Sequence, residues 1–204
     1  AGLSWKVFEG VPAVHEIREL LFEFLQNADT SAPLVVPIDQ HFVVQGIGLV
    51  GIGYVQSGSV KKHDAVESLP ARDSGIVRSL QVMDDDVDLA VAGDRVGLAL
   101  RNIMEESLHK GCMIVHPDSG AVTCHESSHF SITSAPFQKR VLSQNDVVHA
   151  AVDLQFNVGR IREIDGDSVL IDWESPLWLR TSDSPPILIT QLDAVPMRII
   201  GIAS

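Results

Sequence analysis

The chain has no stretch of about 18 consecutive apolar residues, so no membrane-spanning helix is expected. Its opening residues, AGLSWKVFEG, lack a basic segment followed by an apolar core, and no signal peptide is expected. Cysteine is scarce. Cys112 and Cys124 are the only two, which excludes a disulfide framework and fits a reducing, cytoplasmic setting. Basic residues are also few: 15 Lys and Arg face 27 Asp and Glu, giving a net charge of −12. A protein that grips nucleic acid mainly through phosphates carries a basic face, so this balance argues against a large electrostatic footprint. It leaves room for a local one around Lys61, Lys62, Lys139 and Arg140. Two catalytic signatures are missing as well. No G-x-x-x-x-G-K-S/T phosphate loop and no G-x-S-x-G elbow occurs, which removes GTPase and serine-hydrolase chemistry from this chain.

What is present is one helical stretch followed by β-type sequence. Val14, Ile17, Leu20, Leu21, Phe24 and Leu25 recur at helical spacing, with Pro12 suited to the first turn. Asn27 to Pro33 is a turn-rich stop. Beyond it, Val43 to Val55 is threaded with Gly46, Gly48, Gly51 and Gly53, as expected of a strand bent round a small barrel. Further strands are expected near Ala65–Leu69, Gly75–Met83 and Arg95–Asn102. His116 to Ala121 reads as the boundary loop. After it, Asp165-Gly166 is a hairpin signal between Val158–Ile164 and Ser168–Trp173. Later strands are expected at Ile187–Leu192 and Met197–Ile202.

Three short patterns call for chemistry. Gly46 to Gly51 spells G-x-G-x-x-G, but a dinucleotide site needs a helix to open after the glycines, and strand-forming residues follow instead. His125-Glu126-Ser127-Ser128-His129 spells H-E-x-x-H. A zinc hydrolase needs that motif on a helix, with both histidines on one face and the glutamate activating a metal-bound water. Its flanks are β-branched, so the segment is expected to be the polar start of a strand, on which the two histidines still share a face. A metal site at His125 and His129 remains an alternative. Asp84-Asp85-Asp86 with Asp88 lacks the glycine and the distal glutamate of a calcium loop and reads as a solvated turn.

Taken in order, Pro33 to Val66, Ala92 to Ile103 and Glu105 to Ile114 resemble domain II of the translation-factor GTPases, the elongation factor Tu family. Gly2 to Lys6 and the helix ending near Gln26 look like the last loop and helix of a G domain. Asn145 to His149, the Asp165-Gly166 hairpin, Ser175-Pro176-Leu177 and Met197 to Gly201 resemble domain III of the selenocysteine-specific branch. The resemblance implies a mostly β chain: two small antiparallel barrels in tandem behind one amphipathic helix. The expected division is 1–32 as G-domain remnant and linker, 33–117 as domain II and 118–204 as domain III.

In that family domain II cradles the aminoacylated end of tRNA. The matching positions are Asp39, Gln40, Phe42, Gln81 and Met83. The implied partners are aminoacyl-tRNA and the ribosome, with no membrane and no DNA. No cofactor is implied for this chain, and GTP with magnesium belongs only to a functional G domain upstream. Trp5, Gln56 and Asp84 depart from the family pattern. With the acidic balance they support a second reading, a degenerate relative that acts by binding a protein partner. A zinc hydrolase on His125, Glu126 and His129 is the third.

Overall fold

The computed structural model describes residues 10–23, 29–136, 138–195 and 197–204. The loop at Gly2 to Lys6 that looks like the end of a G domain, and Phe24 to Gln26 of the expected helix, lie outside these residues. Among the described residues a single α-helix, α1 (Val14–Glu23), precedes the β structure. Glu16 turns back to accept a hydrogen bond from the Ala13 N–H at 2.7 Å, half of a capping box. Pro12 therefore stands just ahead of the helix rather than inside its first turn. Val14 and Ile17, two members of the expected apolar stripe, are exposed, Val14 at 75%. Asp29 then closes the linker: its carboxylate accepts from the Ser31 hydroxyl and from the Ser31 and Ala32 amides. These bonds, the Ser31 hydroxyl foremost, hold its pKa below the usual aspartate value.

The first barrel contains β1 (Val35–Val44), β2 (Gly48–Tyr54), β3 (Ser59–Lys61), β4 (Ala65–Leu69), β5 (Asp73–Val82), β6 (Asp85–Val87), β7 (Leu89–Val91), β8 (Arg95–Arg101) and β9 (Met113–Val115). Strands β4, β9, β1, β2, β8 and β5 follow one another round the wall, and β5 pairs back onto β4 to close it. Strand β6 hangs on β5, and β3 with β7 forms a separate ribbon. The interior is filled by Ile38, Leu80, Leu98, Leu100, Ile114 and their neighbours. The glycine-rich segment is two strands and a turn rather than one bent strand. Gly46 and Gly48 take positive φ at the hairpin turn, while Gly51 and Gly53 lie within β2. The G-x-G-x-x-G pattern thus spans a turn and a strand. At Gly53 a Cβ would collide with the Pro37 carbonyl of the neighbouring strand, so close backbone approach explains that glycine.

The second barrel contains β10 (Val122–Ser134), β11 (Val147–Val152), β12 (Gln155–Asp165), β13 (Ser168–Arg180), β14 (Ile187–Thr190) and β15 (Ile199–Ala203). All pairings are antiparallel, and the ring runs β10, β13, β12, β11, β14, β15 and back to β10. The hairpin signal is displaced by one residue: Asp165 pairs with Ser168, so the turn is Gly166-Asp167. Phe130, Ile161, Ile171, Trp173, Leu177 and Ile189 pack inside. The Trp173 indole donates to the Ser128 hydroxyl at 2.9 Å, which satisfies the one polar atom of that ring.

The barrels meet at a small apolar joint of Val35, Leu69, Met113, Val115 and Ala121, with Trp178 packed against it. On the second-barrel side Gln155 braces Trp178: its side-chain amide donates to the Trp178 carbonyl and its oxygen accepts from the Trp178 N–H. A Cβ on Gly111 would sit 2.8 Å from the Leu154 carbonyl oxygen of the second barrel. Arg180 and Asp153, both nearly buried, pair at 2.8 Å and hold the β11–β12 turn beside the joint. Burial raises the Asp153 carboxyl above its usual range, against the pull of Arg180. Among the described residues no helix is long and apolar enough to cross a membrane.

Candidate nucleic-acid interface on the first barrel

Strand alternation decides which side chains reach solvent. On β1 a bulge at Asp39 sets the phase: Ile38 pairs with Gly53, and Gln40 with Ile52. Ile38 therefore faces the core, while Gln40 and Phe42 face outward. The register continues across the sheet. Gln40 lies opposite Ile52, Ile52 opposite Gly97, Gly97 opposite Gln81, and Gln81 opposite Asp86. One residue pair further along, Phe42, Val50, Ala99 and Ser79 form a second outward row. Gln40 and Gln81, forty-one positions apart in sequence, thus belong to one row. They are three inter-strand steps apart, about 14 Å at about 4.8 Å per step.

On β8 the small Gly97 and the nearly buried Ala99 lie between Val50 and Ile52 of β2 and Gln81 of β5, so the rows dip there into a shallow trough, with Gln40 and Phe42 one strand further out on β1. Gly97 has room for a side chain, since a Cβ there would meet nothing nearer than the Gln81 Cβ at 3.8 Å. Internal packing does not require this glycine, in contrast to Gly53. Phe42 leaves 43% of its surface to solvent at the edge of the trough. Met83 is 89% exposed on the β5–β6 turn, where both Met83 and Asp84 adopt positive φ. This two-residue turn is of the type usually given to Asn-Gly or Gly-Gly, and it holds Met83 out in solvent without glycine's freedom. Only Asp84 of the acidic run is in the turn. Asp85 and Asp86 belong to β6, so the run is a strand edge as much as a turn.

Two polar members of the expected set are already engaged. The Gln81 amide donates to the Asp86 carboxylate at 3.0 Å. Asp39, displaced by its bulge, pairs with Lys110 at 2.8 Å on the loop before β9. Asp39 therefore points toward the joint rather than into the trough. The hairpin beyond Phe42 is held by Arg78, whose guanidinium donates to the Gly46 and Ile47 carbonyls at 3.2 and 2.6 Å. Sequence reasoning missed Arg78, Gly97 and Ala99. A lone arginine and two small residues within a strand give no signal until the register is known.

The H-E-x-x-H segment forms no metal centre of the helical kind. It lies within β10, where a bulge between His125 and Ser127 breaks the alternation. The two histidines consequently do not share a face, contrary to the expectation from a regular strand. His125 hydrogen-bonds the Thr123 hydroxyl and His129 the Ser168 hydroxyl, each at 2.8 Å. Among the described residues no cluster of three or more His, Cys, Asp or Glu is placed to hold a metal ion.

Comparison with known proteins agrees with the fold. Residues 48–115 match the family described as elongation factor Tu domain 2. An uncharacterised protein of Methanocaldococcus jannaschii is 28% identical over 161 residues, 79% of this chain and 51% of that protein. The selenocysteine-specific elongation factor of the same organism is 36% identical over 118 residues, 57% of this chain and 25% of that factor. The crystal structure of a bacterial selenocysteine-specific elongation factor superposes with a TM-score of 0.78 at 25% identity, covering 93% of this chain and 30% of that one. The chain spans about half the length of these relatives or less.

Tandem closed barrels with this sequence match define the class: the chain is related to the translation-factor GTPases and corresponds to their domains II and III. More particularly, it is an elongation-factor-like domain II–III module related to the selenocysteine-specific elongation factors.

Proposed function

We propose that the outward trough on the first barrel binds the aminoacylated end of a tRNA, and that the two barrels, residues 33–117 and 118–204, act as a carrier module with the ribosome as a second partner. GTP hydrolysis, with its magnesium, would belong to a separate G domain, since the chain carries no phosphate-loop sequence. A cytoplasmic setting is part of the same proposal. One observation carries the reading. Gln40, Phe42 and Gln81, matched to the family by sequence alone, fall on one face around an open floor at Gly97. A half-exposed aromatic two strands from a bare floor on the same face suits a ligand that spans both, such as a flat base with its aminoacyl group, with Gln40 and Gln81 as amides for hydroxyls or base edges. Asp84, Asp85 and Asp86 flank the trough and would repel a phosphate-dense duplex. They favour a single-stranded end whose contacts are mostly to base, sugar and ester.

The test is a fluorescence titration with charged and uncharged forms of the same tRNA. The charged form should bind more tightly, and Phe42→Ala should weaken it by about 1–3 kcal/mol, the scale of one lost base–aromatic stack. Equal affinity for the two forms, unchanged in Phe42→Ala, rejects the reading.

A second reading has a specific observation in its favour. Gln81 is bonded to Asp86 and Asp39 is paired with Lys110, so two of the three polar side chains matched to the family are committed internally. A protein-binding, regulatory relative would show that pattern. Absence of tRNA and ribosome binding, together with a stoichiometric protein partner, would favour it.

A further inference from the structure

The trough depends on a bulge whose cause lies outside the trough. Ile38 follows Pro37, the last residue of β1 paired with β9, and it faces two residues of the loop before β9 at once. Its N–H donates to the Cys112 carbonyl and its carbonyl accepts from the Gly111 N–H, both at 2.9 Å. His109 to Cys112 is a tight turn, closed by the Cys112 N–H on the His109 carbonyl at 3.1 Å. Gly111, its third residue, takes a φ of +87°, which suits glycine or asparagine at that place. Lys110, its second, reaches the Asp39 carboxylate at 2.8 Å. Backbone bonds thus hold Ile38, an ion pair holds the next side chain, and Asp39 is left as the extra residue opposite β2. With Asp39 in the ladder every later side chain of β1 would change face, and Gln40 and Phe42 would turn toward the core.

The same turn bears on the second barrel. A Cβ on Gly111 would lie 2.8 Å from the Leu154 carbonyl oxygen and 3.1 Å from the Gln155 Cα, so the two backbones touch only because the side chain is absent. Asp153 and Leu154 form the β11–β12 corner, both with positive φ. The corner is braced on either side. The Asp153 carboxylate accepts from the Arg180 guanidinium at 2.8 Å, and Gln155 holds the Trp178 backbone. One side of the turn therefore fixes the phase of β1, and its other side rests on a braced corner of the second barrel.

We propose that Lys110 and Gly111 are positioning residues for the trough: their turn sets the Asp39 bulge that presents Gln40 and Phe42, and the Leu154 corner of the second barrel holds that turn in place. The second barrel then shapes the binding face without touching the ligand. The effect on binding rests on the trough being a site for an aminoacylated end; the effect on the bulge does not.

Residue-resolved amide exchange on the free chain, followed by titration with charged tRNA, tests this. Lys110→Met removes the ion pair. Gly111→Asn keeps a residue that tolerates positive φ but sets a Cβ against the Leu154 carbonyl. Both should keep the thermal midpoint near that of the parent. Exchange of the Ile38 amide should rise about threefold in Lys110→Met, the scale of an exposed ion pair, and about tenfold in Gly111→Asn. Charged-tRNA binding should weaken by similar factors, and Lys110→Arg should leave exchange and binding as in the parent. Should Gly111→Asn fail to fold, Gln155→Ala, which loosens the corner at Trp178, takes its place with the same expectation for exchange and binding. Residues that serve stability alone would lower the midpoint and leave the affinity unchanged. Ile38 exchange unchanged in both variants would overturn the proposal, and so would faster exchange with unaltered binding of charged tRNA. A response to Lys110→Met alone would remove the second barrel from it. A parent chain that does not prefer charged tRNA rejects the aminoacyl-end reading instead, and the exchange rates alone then decide whether the turn sets the bulge.

Discussion

At the scale of single residues, the glycines separate packing from function. Gly53 and Gly159 are fixed by neighbours: a Cβ would strike the Pro37 carbonyl at the first and lie 2.5 Å from the Trp173 ring at the second. Gly53→Ala and Gly159→Ala should each destabilise the chain by about 1–3 kcal/mol in urea unfolding, the usual cost of forcing extra volume into a packed site. Gly97→Ala should be near neutral, or stabilising by up to about 1 kcal/mol, because a strand glycine gives up entropy for no packing benefit. Gly97→Leu should fold and yet weaken charged-tRNA binding, since its side chain would fill the trough floor. A loss of stability in Gly97→Ala comparable to that in Gly53→Ala would contradict this division.

The two cysteines give a second residue-scale prediction. Burial pushes the Cys112 thiol up to about 11, whereas Cys124 is exposed on β10. A disulfide reagent near neutral pH should therefore titrate one fast thiol, lost in Cys124→Ser. The second should appear only on unfolding.

At the scale of elements, the sequence displays strand existence better than strand pairing. Ala65–Leu69 is a strand with the expected bounds, and Arg95–Arg101 falls one residue short of expectation, because short runs bounded by turn formers such as Lys62-His63-Asp64 and Ala92-Gly93-Asp94 are a local signal. The short strands β3, β6, β7 and β9 were not legible one by one. Three residues carry too little periodicity, and their pairing is set by partners elsewhere in the chain. The bulges at Asp39 and Glu126 were invisible for the same reason. Each inverts the phase of its strand, sending Asp39 to Lys110 and parting His125 from His129. The trough was half legible. Its polar members followed from the resemblance, but its floor at Gly97 and Ala99 emerged only from the register. Arg78 is the element-scale test. Arg78→Met should leave the barrel folded but speed amide exchange at Ile47 about tenfold by freeing the β1–β2 turn. Unchanged exchange would mean that the turn holds its shape without the arginine.

At the scale of the whole molecule, the joint between barrels decides whether they move together. Its apolar cluster is small, Gly111 admits the Leu154 carbonyl of the other barrel at close range, and within the second barrel Gln155 holds both backbone groups of Trp178, which packs against the cluster. Gln155→Ala leaves two backbone groups of Trp178 without their partner in a half-buried place and should cost about 1–3 kcal/mol. A carrier module needs such a joint, because a ligand held on one barrel must keep its position relative to surfaces on the other.

The central claim, that the trough holds an aminoacylated end, is tested most directly by the lifetime of the aminoacyl ester. A buried ester is shielded from water, so this chain, present in excess over a mixed population of charged tRNAs, should slow spontaneous deacylation of the species it carries. Phe42→Ala and Gly97→Leu should each remove the protection. Deacylation at the same rate with and without the protein, for every amino acid in the population, would contradict the account.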